Sequence, residues 1–199
     1  MDISTILYND IICKSAVLIL SWLYSAGASF REGIIMEETE NRRQTCCFTG
    51  HRPEKLQVPE SLIVEKLDLA IQTAICNGYR TFISGMAKGV DIWAAEQVLS
   101  FRKCNPQLTL VCAIPYPGYE RRWDQKWKTR FQDIIQTANA VHYISQKASY
   151  RVYQARNVWM VDHSSLVISV YNGSKGGTQN TLAYAKKQPG CAIEVLTFP

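Results

Sequence analysis

The residues of this chain that could do chemistry gather where apolar runs end. In "FISGMAKGVDIWAAE" (82–96), Ser84, Gly85, Gly89 and Asp91 join a strand-like run to an amphipathic one. Glycine has no Cβ, so backbone can approach a ligand there, and the free N–H groups of a helix start favour an anion. Asp91, in the first helical turn, suits either the helix dipole or the hydroxyls of a ligand. The spacing is neither G-x-G-x-x-G nor a Walker loop, because no Gly-Lys-Ser/Thr ending follows. A second segment, "VYNGSKGGTQNT" (170–181), sets Asn172, Gly173, Gly176 and Gly177 before a helical run that holds Thr178 and Thr181. A glycine-rich turn feeding a helix after a buried strand has the form of a phosphate cradle. Two such loops on one sheet point to a phosphate-bearing or nucleotide-like ligand.

Three further loops offer side chains. "FTGHRPEKL" (48–56) carries Thr49, Gly50, His51 and Arg52. His51 could work as an acid or base or as a structural hydrogen-bonder, and Arg52 matches a phosphate bidentately. "IPYPGYERRW" (114–123) carries Pro115, Tyr116, Arg122 and Trp123, ahead of Lys126, Trp127, Lys128 and Arg130. Charge interleaved with flat rings suits stacking on a base while neutralising phosphate. The competing reading makes Trp123 and Trp127, four apart, a core stripe with the basic residues in water. The helical run near 153–162 adds Arg156, Asn157 and Met160.

These loops need a frame, and the hydrophobic pattern supplies one. Apolar runs at 45–50, 80–84, 108–115, 141–145, 165–171 and 191–196 read as strands. Helix-period segments alternate with them at 62–77, 90–102, 119–138, 153–162 and 178–187. Strands apolar on both faces and separated by helices predict an α/β three-layer sandwich around a mostly parallel sheet. In such a sheet a ligand sits beyond the carboxyl ends of the strands, where these loops lie.

With 199 residues, the chain is long enough for one such domain over 45–199 and an N-terminal extension over 1–44. At 47% hydrophobic and 20% charged residues it is neither disordered nor collagen-like, and its net charge of +5 leaves a phosphate or nucleic-acid partner open. Its seven cysteines show no C-x-x-C pair and no metal-ligand spacing with histidine. That predicts reduced thiols, a cytoplasmic location and no metal site. The apolar part of the extension, 15–30, falls short of the roughly 20 residues a membrane span needs. A signal peptide is a second reading and a start at Met36 a third; if residues 1–35 are present, they are expected to form an apolar helix.

"ISGMAKGVDIWAAE" resembles the glycine loop of the DprA/Smf proteins, and "ARNVWMVDHSSLVISVYNGSKGGTQNTLAYA" resembles their strand-loop-helix half. Together with "CCFTGHRPEKL" these motifs are similar to the SLOG superfamily, which joins DprA to the Lonely Guy (LOG) phosphoribohydrolases, and most of all to its YpsA-like branch. The resemblance covers about 45–198. It implies a Rossmann-like fold, a nucleotide or nucleotide-derived ligand in the shared pocket, and a homodimer. LOG enzymes pair an Arg and Met four apart, matched by Arg156 and Met160, with a glycine loop whose Glu assists N-glycosidic cleavage. Thr181 stands where that Glu would be, so the developing oxocarbenium charge would lack its carboxylate partner.

Three functions follow as expectations. The first is a sensor-type protein binding NAD, ADP-ribose or a nucleoside phosphate. The second is a hydrolase of a nucleotide's N-glycosidic bond, with Arg156 orienting phosphate and Asp91 as the carboxylate. The third is a DprA-like single-stranded-DNA-binding protein using the basic segment.

Overall fold

The computed structural model describes residues 41–198. The expectations for residues 1–40 lie outside that range. Strand β1 (Thr45–Gly50) shows how the sheet is built. Cys46 and Phe48 face one apolar cluster and Cys47 the other, as the two-residue period of a strand requires. A single 3-10 turn (Pro53–Lys55) leads to α1 (Glu60–Cys76), which buries Ile63, Leu67, Ala70, Ile71 and Ala74. Helix α1 ends in a Schellman motif: Tyr79 N–H donates to Ala74 O, Gly78 N–H to Ile75 O, and Gly78 has φ +93°.

The unit repeats as β2 (Thr81–Ser84), α2 (Val90–Arg102), β3 (Thr109–Ile114), α3 (Gln125–Thr137) and β4 (Ala140–Tyr143). Helix α4 (Tyr150–Asp162) then carries the chain back to β5 (Leu166–Val170), followed by α5 (Gly177–Ala185) and β6 (Ala192–Leu196). The strands lie in the order β4-β3-β2-β1-β5-β6, all parallel. This is the expected Rossmann-like α/β sheet.

Right-handed crossovers place helices on opposite faces when the chain reverses its direction across a sheet. Accordingly α1, α2 and α3 cover one face, packing Leu67, Trp93 and Phe131 with Phe48, Phe82 and Leu110. Helices α4 and α5 cover the other, packing Met160, Val161 and Leu182 with Cys47, Ile83 and Val167. Phe48 and Phe82 are fully buried and stack with centroids 6.0 Å apart, each stabilising the fold by about 1.5–3 kcal/mol through burial. The direction reverses between β1 and β5, which opens a crevice beyond their carboxyl ends.

Several elements depart from the sequence reading: α4 starts at Tyr150 and not 153, and the edge strand β6 leaves Val195 exposed. Helix α3 begins at Gln125, not Tyr119, because Asp124 caps it by accepting from Trp127 N–H at 3.2 Å, while Gly118 (φ +78°) turns the preceding residues. Strand β4 is an edge strand with Val141 and Tyr143 exposed, so it is not apolar on both faces.

Candidate functional site

A cleft of about 770 Å³ occupies the crevice between β1 and β5. Its floor is the end of β1. Gly50 is required there, since a Cβ would come 2.5 Å from Val90 Cβ at the start of α2. His51 follows, its N–H donating to Val170 O and its ring 5.3 Å from that of Tyr171. The imidazole is only 4% exposed and faces two hydroxyls of the β5–α5 segment: Nε2 lies 3.2 Å from Ser174 Oγ and Nδ1 3.5 Å from Thr178 Oγ1. Burial, and next the charge of Lys55, hold its pKa below the ordinary 6.5, against the smaller opposing effect of the Asn172 side chain as an acceptor. A neutral His51 that braces the loop above it follows from this geometry.

The loop between β2 and α2 is buried and internally bonded. Ser84 Oγ donates to Asp91 O at 2.8 Å and accepts from Met86 N–H at 3.1 Å. Met86, fully buried, takes φ +57°, a conformation costly for a side chain other than glycine. Asp91 Oδ2 accepts from Ala87 N–H at 3.2 Å and lies 3.5 Å from Arg156 Nη1, which also donates to Gly85 O. Burial raises the Asp91 pKa from its ordinary value, outweighing the Arg156 charge and the Ala87 N–H that pull it down. Among the described residues both donors meet Oδ2, leaving Oδ1 as an acceptor for the cleft.

The opposite wall is open. Gly176 has φ 154° and ψ −166°, a region almost confined to glycine, and aims the start of α5 into the cleft. The first intrahelical bond is Asn180 N–H to Gly176 O, so the first-turn N–H groups have no helical partner. Lys55 Nζ donates to Lys175 O at 3.2 Å and stands 3.5 Å from the position of a Cβ on Gly176. The start of α5 and one ammonium therefore lie together at this end of the cleft. Helix α4 lines the remaining side with Tyr150, Tyr153, Gln154, Asn157 and Met160, beside Tyr119 from the β3–α3 segment. Burial and the hydroxyl contact with Tyr116 at 2.9 Å push the Tyr153 phenol up to about 12.

The structure brings Thr49, Gly50, His51, Arg52, Asp91, Arg156, Asn157, Gly176, Gly177, Thr178 and Thr181 to this cleft. Ser84, Gly85 and Gly89 stand behind it. A Cβ on Gly85 would lie 2.7 Å from Asp91 Oδ2, and one on Gly89 (φ +93°) 2.8 Å from Pro53 Cδ. Asn172 ties its loop to the 3-10 turn after β1, donating to Lys55 O at 2.8 Å, and Gly173 (φ +85°) turns in open space. Pro115, Tyr116, Arg122 and Trp123 do not line the cleft. Tyr116 supports Tyr153, Trp123 packs edge-on against Phe131, and Arg122 is exposed.

Thr181 gives its hydroxyl to Gly177 O at 2.9 Å. Lys88 turns away from the cleft to Asp124, 3.2 Å off, and over the Trp123 ring. The sequence reading of the 114–123 loop holds for Tyr119, which reaches the cleft, while Lys55, Tyr150, Tyr153 and Gln154 are among the lining residues missed from sequence. Lys55 falls three residues after Arg52, a spacing that one turn of helix would have flagged.

The YspA SLOG family model matches residues 46–198. The uncharacterized SPbeta prophage-derived protein YoqJ of Bacillus subtilis is 32% identical over 123 residues, covering 56% of this chain and 71% of its own. A UPF0398 protein of Halalkalibacterium halodurans is 26% identical over 150 residues, covering 71% and 79%. Among solved structures, DNA processing protein A (DprA) of Helicobacter pylori, described for its single-stranded DNA binding mode, superposes with a TM-score of 0.58 at 19% identity. That match covers 82% of this chain and 69% of the other. DprA of Streptococcus pneumoniae gives 0.56 at 18%, with 79% of this chain covered, and the chain spans about half of that protein (51%). At these identities the DprA likeness is one of fold. With the family model spanning the sheet and every loop of the cleft, the chain belongs to the YspA SLOG family.

Proposed function

We propose that this protein binds a nucleotide or nucleotide-derived ligand as a sensor, holding phosphate at the start of α5. The observation that carries the reading is that the start of α5, with its unbonded first-turn amides, and the Lys55 ammonium lie together at the β1/β5 reversal. Arg52, exposed at the cleft, supplies a second cation, and Asp91 Oδ1 an acceptor for ribose hydroxyls. NAD, ADP-ribose and nucleoside monophosphates are the ligands to try. The buried free thiols of Cys46, Cys47 and Cys112 fit a reducing, cytoplasmic setting. Among the described residues no helix is long and apolar enough to cross a membrane.

Thermal unfolding with each ligand tests the proposal, since a ligand at 100 times its Kd stabilises by about 2.7 kcal/mol. Lys55→Glu should remove that stabilisation. If no nucleotide raises the melting temperature and single-stranded DNA binds with steep salt dependence, the DNA reading replaces this one. The basic segment supports that alternative in part, through the exposed Arg121, Arg122 and Lys126, while other members are bound into the fold. Trp127 packs against Trp93, and Arg130 is held by Glu96 and by Glu60 at 2.9 Å. Hydrolysis rests on the placement of Asp91 alone, and release of free base on chromatography would establish it.

A further inference from the structure

Tyr150 is 93% exposed, more than any other large apolar side chain among the described residues, yet it stands on the cleft wall. Helix α4 turns Tyr150, Tyr153, Gln154 and Asn157 to the cleft, a spacing of three, four and seven that keeps them in one line. The far end of that line is the phosphate end, since Asn157 Nδ2 lies 3.9 Å from the position of a Cβ on Gly177. At about 1.5 Å per residue, Tyr153 and Tyr150 stand about 6 and about 10 Å back from Asn157 along the axis. One ribose bridges that kind of gap between a 5′-phosphate and its base. Tyr153 is fixed, hydroxyl to hydroxyl with Tyr116 and ring against Tyr116 and Tyr119. Among the described residues Tyr150 has no such support, and its 93% exposure leaves its ring available to a ligand.

Resting on the nucleotide reading, we infer that Tyr150 is the base-stacking residue of the cleft, so that the ligand is a nucleoside 5′-phosphate bound phosphate-first at α5 with its base on Tyr150. Stacking on a tyrosine accepts any base but requires one, which makes the cleft discriminate nucleotides from sugar phosphates.

Calorimetry on the full chain, with AMP and ribose 5-phosphate as probes, tests this. Tyr150→Ala should weaken AMP about tenfold and leave ribose 5-phosphate within about twofold, while Tyr150→Phe keeps the AMP affinity. Unchanged AMP affinity in Tyr150→Ala overturns the stacking role and leaves the nucleotide reading standing. An equal loss for both probes also overturns it, because a misplaced helix would act on both. If wild-type protein binds neither probe, nor NAD nor ADP-ribose, both readings fall together. At 93% exposure the alanine variant loses almost no burial, and its melting temperature confirms folding.

Discussion

The β2–α2 loop and the β5–α5 loop look alike in sequence, each a glycine-bearing turn between a buried strand and a helix, but they do different physical work. In the first, glycines are demanded by the protein itself, because Arg156, Asp91 and Pro53 fill the space where Cβ atoms would stand. Its polar groups are spent on one another, from Ser84 on Met86 and Asp91 to Arg156 on Gly85. In the second, a Cβ on Gly173 or Gly177 would meet little or nothing, and the first-turn amides of α5 remain unbonded by the helix. The first loop is a brace, and the second has the open form that the proposed phosphate cradle requires. A glycine count does not separate the two; what occupies the missing Cβ does.

Breaking the brace should cost the fold most. Arg156→Met strands the buried Asp91 carboxylate and is expected to lower stability by about 3–5 kcal/mol in urea unfolding, with Asp91→Leu added on top recovering much of the loss. Gly85→Ala, which forces Arg156 and Asp91 to move, should cost about 1–3 kcal/mol.

The cradle should behave oppositely. Gly177→Asp has room for its side chain and places a carboxylate favourably at a helix start, so the melting point should hold or rise. The same charge repels phosphate, and AMP affinity should fall about tenfold or more. If Gly177→Asp unfolds the protein while Gly85→Ala only weakens binding, the two roles are reversed.

The smallest effect is the histidine beneath the cradle. His51 has its pKa held below 6.5 by burial and Lys55, so the unfolded chain takes up this proton more readily than the folded one. Its contribution is complete above pH 6.5 and is lost as the pH falls from 6.5 through the lower folded value. Urea midpoints across pH 5 to 8 should show this slope in wild-type protein and a flatter profile in His51→Asn.

The strand–helix alternation was legible because strands buried on both faces are apolar throughout, as in "SLVISV" and "TLVCAI". The loop glycines were legible too, as was the pairing of two loops across the sheet. The partner of each loop was not. Gly85 and Arg156 are 71 residues apart, and only the return of α4 across the sheet explains why no Cβ fits at Gly85. The basic segment divides in a way the sequence did not show, with Arg121 and Arg122 exposed and other members bound into the fold. Its rings and cations looked like a nucleic-acid surface, whereas Trp127 and Arg130 are claimed by α1 and α2 through Glu60, Trp93 and Glu96. Lys55 carries only its three-residue spacing from Arg52 as a local signal, and Tyr150 carries none, since a tyrosine at a helix start is ordinary until the cleft forms around it.

The sheet order has a consequence for how the molecule comes into being. Strand β1 waits for β5, its neighbour on one side, until about 120 residues later in the chain, and the cradle follows β5. Strands β1 to β4 can therefore assemble on the ribosome before α4 brings Arg156 to the brace and β5 brings the second loop. Such long-range pairing is slow to close, because the loop entropy is lost before the contact rewards it. A ligand that binds both halves would act on this last step only, holding a finished chain closed while leaving a truncated one unaided.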